Sequence, residues 1–194
     1  MDNHERIISL ARRSIDGDRE AYGLLLVELE PLIVRTVRLV VGSGSWIAED
    51  AAQEAFLDVI RGLEKVRRPE AVFAWALRVA TTRALKIARK EQLLLLRRVS
   101  GIDPKLLGEI AREPQDERIG ALKDAFDRLP PRLRATAILR LYLDLTEADT
   151  AAILGCSAGT VKSNLHDARR KLGESLRHHG LAPSTLSASG KEFS

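Results

Sequence analysis

Apolar side chains recur every three to four residues along most of the chain, and no run of β-branched residues alternates with polar ones. A period near 3.6 belongs to helices packed along one stripe, so the pattern predicts an all-α protein. A first helix falls over residues 4–14. Asp16-Gly17-Asp18 closes it and caps a second helix running toward Val41. Pro31 is expected to break or kink that helix, because its ring removes a hydrogen bond and crowds the preceding turn. Beyond Gly42-Ser43-Gly44-Ser45 a third helix is predicted over 48–63, and a fourth opens after Arg67-Arg68-Pro69-Glu70 and reaches about Lys90. Between 91 and 120 the period weakens, with breaks at 100–104 and 113–116 and one short helix expected over 105–111. Helix resumes over 122–129, and Pro131 opens another at a position where its missing N–H has no intrahelical partner to lose. Residues 180–194, rich in Ser and small residues, are expected to form a flexible tail. The predicted architecture is two small helical domains, 1–96 and 117–179, joined by a flexible linker over 97–116.

The sharpest local signals lie near the C-terminus. Thr146-Glu147-Ala148-Asp149 has the shape of a capping box, Gly155 suits the left-handed end of a short helix, and Ser157 suits the cap of the next. Two helices joined by Gly155-Cys156-Ser157 make a helix-turn-helix. In the second, Val161, Leu165, Ala168 and Leu172 share one stripe. The opposite face then carries Ser163, His166, Asp167 and Arg170, flanked by Lys162 and Arg169, which are groups that read base edges and phosphates. The competing reading is an ordinary helical hairpin whose charges are only solvated.

Two further faces carry chemistry. In the third helix Glu49, Asp50, Gln53 and Glu54 stand beside Phe56 and Leu57, which suits docking on a basic partner helix through an apolar anchor. It also suits the acid-rich first turn of a structural helix. In the fourth helix Phe73, Leu77, Ala80, Ala84 and Ile87 form an apolar stripe, which sets Trp75, Arg78, Thr82, Lys86 and Arg89 on the other side. Seven basic residues and one acid, Glu91, lie between Arg78 and Arg98. A ring among cations fits a single strand, because bases stack on the ring while phosphates meet the charges. The alternative for Trp75 is packing at a helix junction, since tryptophan is costly to leave exposed.

These segments resemble known ones. The run from Leu129 to Leu172 resembles the region-4 helix-turn-helix of bacterial sigma factors, in the loose form shared with LuxR-type regulators, through LPPRLR, Ala151-Ala152-Ile153-Leu154-Gly155-Cys156-Ser157 and Gly159-Thr160-Val161-Lys162-Ser163. Glu49-Asp50-Ala51-Ala52-Gln53-Glu54-Ala55-Phe56 resembles the AEDxxQExF signature of region 2 in extracytoplasmic-function (ECF) sigma factors, and ARRSIDGDREAY is similar to that family's opening helix pair. The resemblance implies a dissociable subunit that directs core RNA polymerase to promoters in the bacterial cytoplasm. It places Glu49, Asp50, Gln53, Glu54, Phe56 and Leu57 against the β′ clamp helices, and region 4 against the β flap. For the melted −10 element it implies Arg67, Arg68, Trp75, Arg78, Thr82, Lys86 and Arg89, with the loop over 65–71. For the −35 element it implies Ser157, Gly159, Thr160, Lys162, Ser163, His166, Asp167 and Arg170. An anti-sigma partner is left open. Thr82, Lys86, Asn164 and Asp167 depart from the family pattern, which keeps a degenerate sigma-like protein that binds polymerase without initiating as one alternative. A LuxR-type regulator is the other, although 1–90 shows neither a receiver pattern nor a ligand pocket.

Composition narrows the rest. Among 194 residues, 31 Lys+Arg against 27 Asp+Glu give +4, too small an excess to identify a polyanionic partner without the clustering above. No stretch reaches the roughly 18 uncharged apolar residues of a membrane span, and the start MDNHERII lacks the features of a secretory signal. One cysteine, Cys156, and four scattered histidines suggest neither a disulfide nor a metal site. No catalytic constellation or cofactor motif is found; His166 and Asp167 are neighbours, so on a helix they diverge by about 100°. Leu93-Leu94-Leu95-Leu96 is too apolar for a free linker. It is expected to extend the fourth helix and to close the N-terminal core, pack between the domains, or meet a partner.

Overall fold

A computed structural model describes residues 3–42, 45, 47–98 and 117–178. Among them the helices are α1 (Asn3–Ile15), α2 (Arg19–Val41), α3 (Ala48–Leu63), a 3-10 turn (Pro69–Ala71), α4 (Val72–Arg98), α5 (Glu117–Asp127), α6 (Pro131–Ala137) running on as a π turn (Ile138–Tyr142), α7 (Glu147–Leu154) and α8 (Ala158–His178). No strand occurs among the described residues. The short helix expected over 105–111 and the tail from 180 lie outside them.

Local chemistry sets the boundaries. The Asp18 carboxylate accepts from the Ala21 N–H at 3.0 Å and from Arg13, and together these hold its carboxyl below the usual range, the backbone bond contributing most. Pro31 does not break α2, which is continuous from Arg19 to Val41. Its ring is exposed, while Leu25, Leu29, Ile33, Val37 and Val40 are buried along one side. Each large apolar side chain so buried contributes about 1.5–3 kcal/mol, and several together outweigh a proline's cost of about 3 kcal/mol. The fourth helix is longer than its period suggested, continuing through Leu93 so that Arg97 and Arg98, assigned to the linker, belong to α4.

Helices α1 to α4 enclose one core, with Ile7, Leu25, Leu29, Ile33, Val37, Val59 and Leu77 at its centre. A smaller core joins Ala121, Ala125, Leu129 and Ala137 to Ala168, Leu172 and Leu176 of α8. The two halves are not independent of each other. Ile138, Leu139, Ile153 and Leu154 come from the C-terminal half but pack in the N-terminal cluster, setting α7 against α4 and α6 against α2 and α4. Leu93 and Leu94 do not close the core: they are 60% and 46% exposed and line a cleft beneath α7.

Candidate nucleic-acid and partner interfaces

The helix-turn-helix is built by three local bonds. Thr146 Oγ1 accepts the Asp149 N–H at 3.1 Å, starting α7. Gly155 ends it at φ 61°, ψ 48°, a left-handed conformation that a side chain would disfavour. Ser157 Oγ accepts the Thr160 N–H at 3.1 Å and starts α8. Val161, Leu165, Ala168 and Leu172 are all buried, as their spacing predicted, and Cys156 packs partly buried in the turn. The opposite face is therefore free: Ser157, Gly159, Thr160, Lys162, Ser163, His166 and Arg170 are exposed, and Asp167 is half-buried at its margin. Two of its cations already have acid partners, Lys162 with Glu147 at 3.5 Å and Arg170 with Glu174 at 3.0 Å.

On α3, Glu49, Asp50, Gln53 and Glu54 are exposed. Glu49 is clasped by Arg38, whose Nε donates at 2.8 Å, and this bond draws its carboxyl below the usual range. Arg83 of α4 donates to Glu54 at 3.0 Å and through two nitrogens to Asp58, and the Asp58 bond strengthens its hold on its proton. These clamps join residues 11 to 29 positions apart, so no local pattern announces them. Among the described residues Asp50 has no such clamp. Phe56, expected as the exposed anchor, instead packs half-buried against the core, because its position borders the buried Ala52, Ala55 and Val59. The apolar side chain that does face outward is Leu57, 46% exposed.

On α4, Arg78, Thr82, Lys86 and Arg89 form an exposed ridge, and among the described residues no acid pairs with Arg78, Lys86 or Arg89. Arg67 and Arg68 are exposed in the segment that leads into it. Trp75 leaves this ridge: its indole lies on Gly62 of α3, where a Cβ would meet Cζ2 at 2.6 Å. This is the helix-junction alternative, and it follows from the apolar area an indole hides by lying on a residue without a side chain. Gly62→Val should therefore displace the indole and destabilise the N-terminal half by about 1–3 kcal/mol in urea denaturation. An unchanged midpoint would show that the ring has another place to lie.

Fold and surfaces together define an all-α protein with a helix-turn-helix in its C-terminal half and a cationic helix beside an acidic one in its N-terminal half. Sigma-70 region 2 matches residues 25–93 and Sigma-70, region 4 matches residues 119–172. The ECF RNA polymerase sigma factor SigE of Mycolicibacterium smegmatis is 31% identical over 136 residues, which is 68% of this chain and 52% of that relative. The RNA polymerase sigma-H factor of Pseudomonas aeruginosa is 28% identical over 91% of this chain and 97% of its own length, and the ECF RNA polymerase sigma-E factor of Escherichia coli 26% over 87% and 93%. Two solved structures share the fold. The sigma factor RpoE in complex with the anti-sigma factor NepR from Bartonella quintana has a TM-score of 0.63, 21% identity and coverage of 80% of this chain and 96% of that one. CnrH in complex with the cytosolic domain of CnrY has a TM-score of 0.60, 20% identity and coverage of 89% and 98%.

The chain belongs to the ECF group of the sigma-70 family: it binds core RNA polymerase and directs promoter recognition and initiation. The region-2 match over 25–93 removes the LuxR-type alternative, which has no account of that half. No described helix is long and apolar enough to cross a membrane.

Proposed function

We propose that the division of labour follows the three surfaces, with 1–96 and 117–179 as the working domains and 97–116 as the connection. The outward face of α3, with Asp50, Gln53 and Leu57 at its centre, docks on the β′ clamp helices. The ridge of Arg78, Thr82, Lys86 and Arg89, with Arg67 and Arg68 beside it, holds the unpaired strand of the −10 element through its phosphates. Trp75 contributes by bracing α4 on α3. The exposed face of α8 enters the major groove of the −35 element while region 4 rests on the β flap. Each DNA contact alone is weak and salt-sensitive, and tethering both to polymerase makes them act as one.

The observation that carries this reading is the unpaired cationic ridge of α4 on the same chain as an exposed recognition helix, since neither face has a structural reason to stay uncovered. The chemistry of transcription then belongs to the polymerase, so the chain needs no catalytic group or cofactor, and it works in the bacterial cytoplasm. The complex that RpoE forms with the anti-sigma factor NepR supports an anti-sigma partner for this chain as well. Co-purification with core polymerase, followed by run-off transcription on genomic fragments, tests the proposal. A holoenzyme that forms but yields no transcript on any fragment overturns it in favour of the degenerate alternative, in which Thr82, Lys86, Asn164 and Asp167 have cost the chain its promoter contacts.

A further inference from the structure

Most polar groups on the outer face of α8 are already engaged inside the chain. Ser157 Oγ accepts the Thr160 N–H at 3.1 Å and lies 2.9 Å from Thr160 Oγ1, so both hydroxyls serve the cap. Lys162 pairs with Glu147 and Arg170 with Glu174. Among the described residues, Ser163, His166 and Asp167 of this face have no hydrogen bond or ion pair. Asp167 is the hardest of the three to account for, because a carboxylate repels the phosphates that give a DNA-binding face its affinity. It caps nothing, standing in the interior of α8 (Ala158–His178). Nor does it pair with Arg170 or Lys171, three and four residues on, although that spacing allows an ion pair.

Its place on the helix is that of a reader. Asp167 lies about 40° around the axis from Ser163 and about 60° from Arg170, away from the buried stripe of Val161, Leu165, Ala168 and Leu172. Half-buried there, its short side chain has little freedom to lose on contact. Arg169 and Lys171 are exposed beside it and have no acid partner among the described residues, so they offset its charge toward a duplex.

A carboxylate accepts hydrogen bonds and donates none. In the major groove the bases that present a donor are cytosine, through its N4 amino group, and adenine, through N6; guanine and thymine present acceptors. Adenine also sets its N7 acceptor beside the amino group, which repels a carboxylate, whereas cytosine has no acceptor on that edge. We propose that Asp167 reads a base of the −35 element and selects cytosine at one of its positions. This inference rests on the major-groove reading of α8 given above. It gives Asp167, one of the positions that depart from the family pattern, a contact of its own rather than a lost one.

An isosteric variant separates reading from repulsion. Asp167→Asn exchanges one carboxylate oxygen for an NH2 group, and the resulting amide can pair with adenine N6 and N7 together. Holoenzymes carrying the native chain, Asp167→Asn or Asp167→Ala are used to select from a duplex library randomised over the −35 element and joined to a pre-melted −10 region. The native form should enrich cytosine over guanine at one position by about tenfold. Asp167→Asn should move the preference at that same position to adenine, and Asp167→Ala should leave none there, with the other positions unchanged. Helical circular dichroism should stay native in both variants, since Asp167 supports no described contact. If both variants instead bind every duplex more tightly and select the native sequence, the acid only repels phosphate and the inference is overturned. Native selection at native affinity overturns it as well. Arg170→Ala in the same selection then locates the failure: a change in its affinity or sequence keeps the major-groove reading and removes only the role of Asp167, and no change removes both.

Discussion

Leu57→Glu combined with Asp50→Arg should abolish capture of core RNA polymerase, lowering affinity at least about thirtyfold. The estimate takes about 2 kcal/mol for an anchor at the centre of a docking face and roughly 1.4 kcal/mol per decade of affinity. Leu57 is the apolar side chain that α3 presents outward, at 46% exposure, and Asp50 is the acid on that face that no described cation clamps. Neither residue supports the core, so circular dichroism and the urea midpoint should stay at native values. Phe56→Ala provides the contrast. Because Phe56 packs half-buried against the N-terminal core, its removal should lower the midpoint as well as the affinity, and only the first variant isolates docking. Core enzyme retained by the folded double variant would move the docking face elsewhere on the chain.

The clamps on Glu49, Glu54 and Asp58 bear on this face in a different way. Arg83 reaches from α4 to both Glu54 and Asp58, so the helix read as holding DNA and the helix read as holding polymerase are braced together. Both acids are then partly neutralised before any partner arrives, and the charge offered to a basic clamp helix is smaller than the sequence suggests. Exposed pairs of this kind contribute little stability, about 0–1 kcal/mol each. Their effect is on shape and charge rather than on the fold.

How much could be read from sequence follows from the range of each interaction. Thr146, Gly155 and Ser157 act within three or four residues, and the helix-turn-helix they define was legible to the residue. The third helix was equally so, because glycines and serines precede it and its apolar period is regular. Pro31 does not end α2 as a break would, since its local penalty is visible in the sequence and the buried stripe that overrides it is not. Trp75 and Phe56 were placed by counting around one helix, which gives the angle of a side chain but not what another helix brings to it. Gly62 under the indole, 13 positions earlier, is such a case. Arg134 is the extreme one: read within LPPRLR it is one more base on a basic segment, and only the fold brings Val41 and Gly42 to it.

On the recognition helix, Arg170→Ala should weaken holoenzyme binding to a −35 duplex by about 1–3 kcal/mol if Arg170 reads a base edge. The loss is then confined to promoters carrying that base, whereas a phosphate contact weakens all duplexes alike and reduces the salt slope by about one. Lys162→Ala gives the same two-way outcome, and His166→Ala should shift sequence preference more than affinity, because an imidazole on the groove face offers directional hydrogen bonds to base edges. The ion pairs on this face add a prediction of opposite sign. Glu174 holds Arg170 at 3.0 Å, so DNA must displace a carboxylate before it gains the guanidinium. Glu174→Gln should tighten binding by a few-fold at most, the exposed pair being worth about 0.2–1 kcal/mol, and the gain should vanish in the Arg170→Ala background. Titration of the four variants and the double variant against labelled duplexes at several salt concentrations separates these outcomes. Native affinity in all of them would show that this face of α8 does not meet DNA.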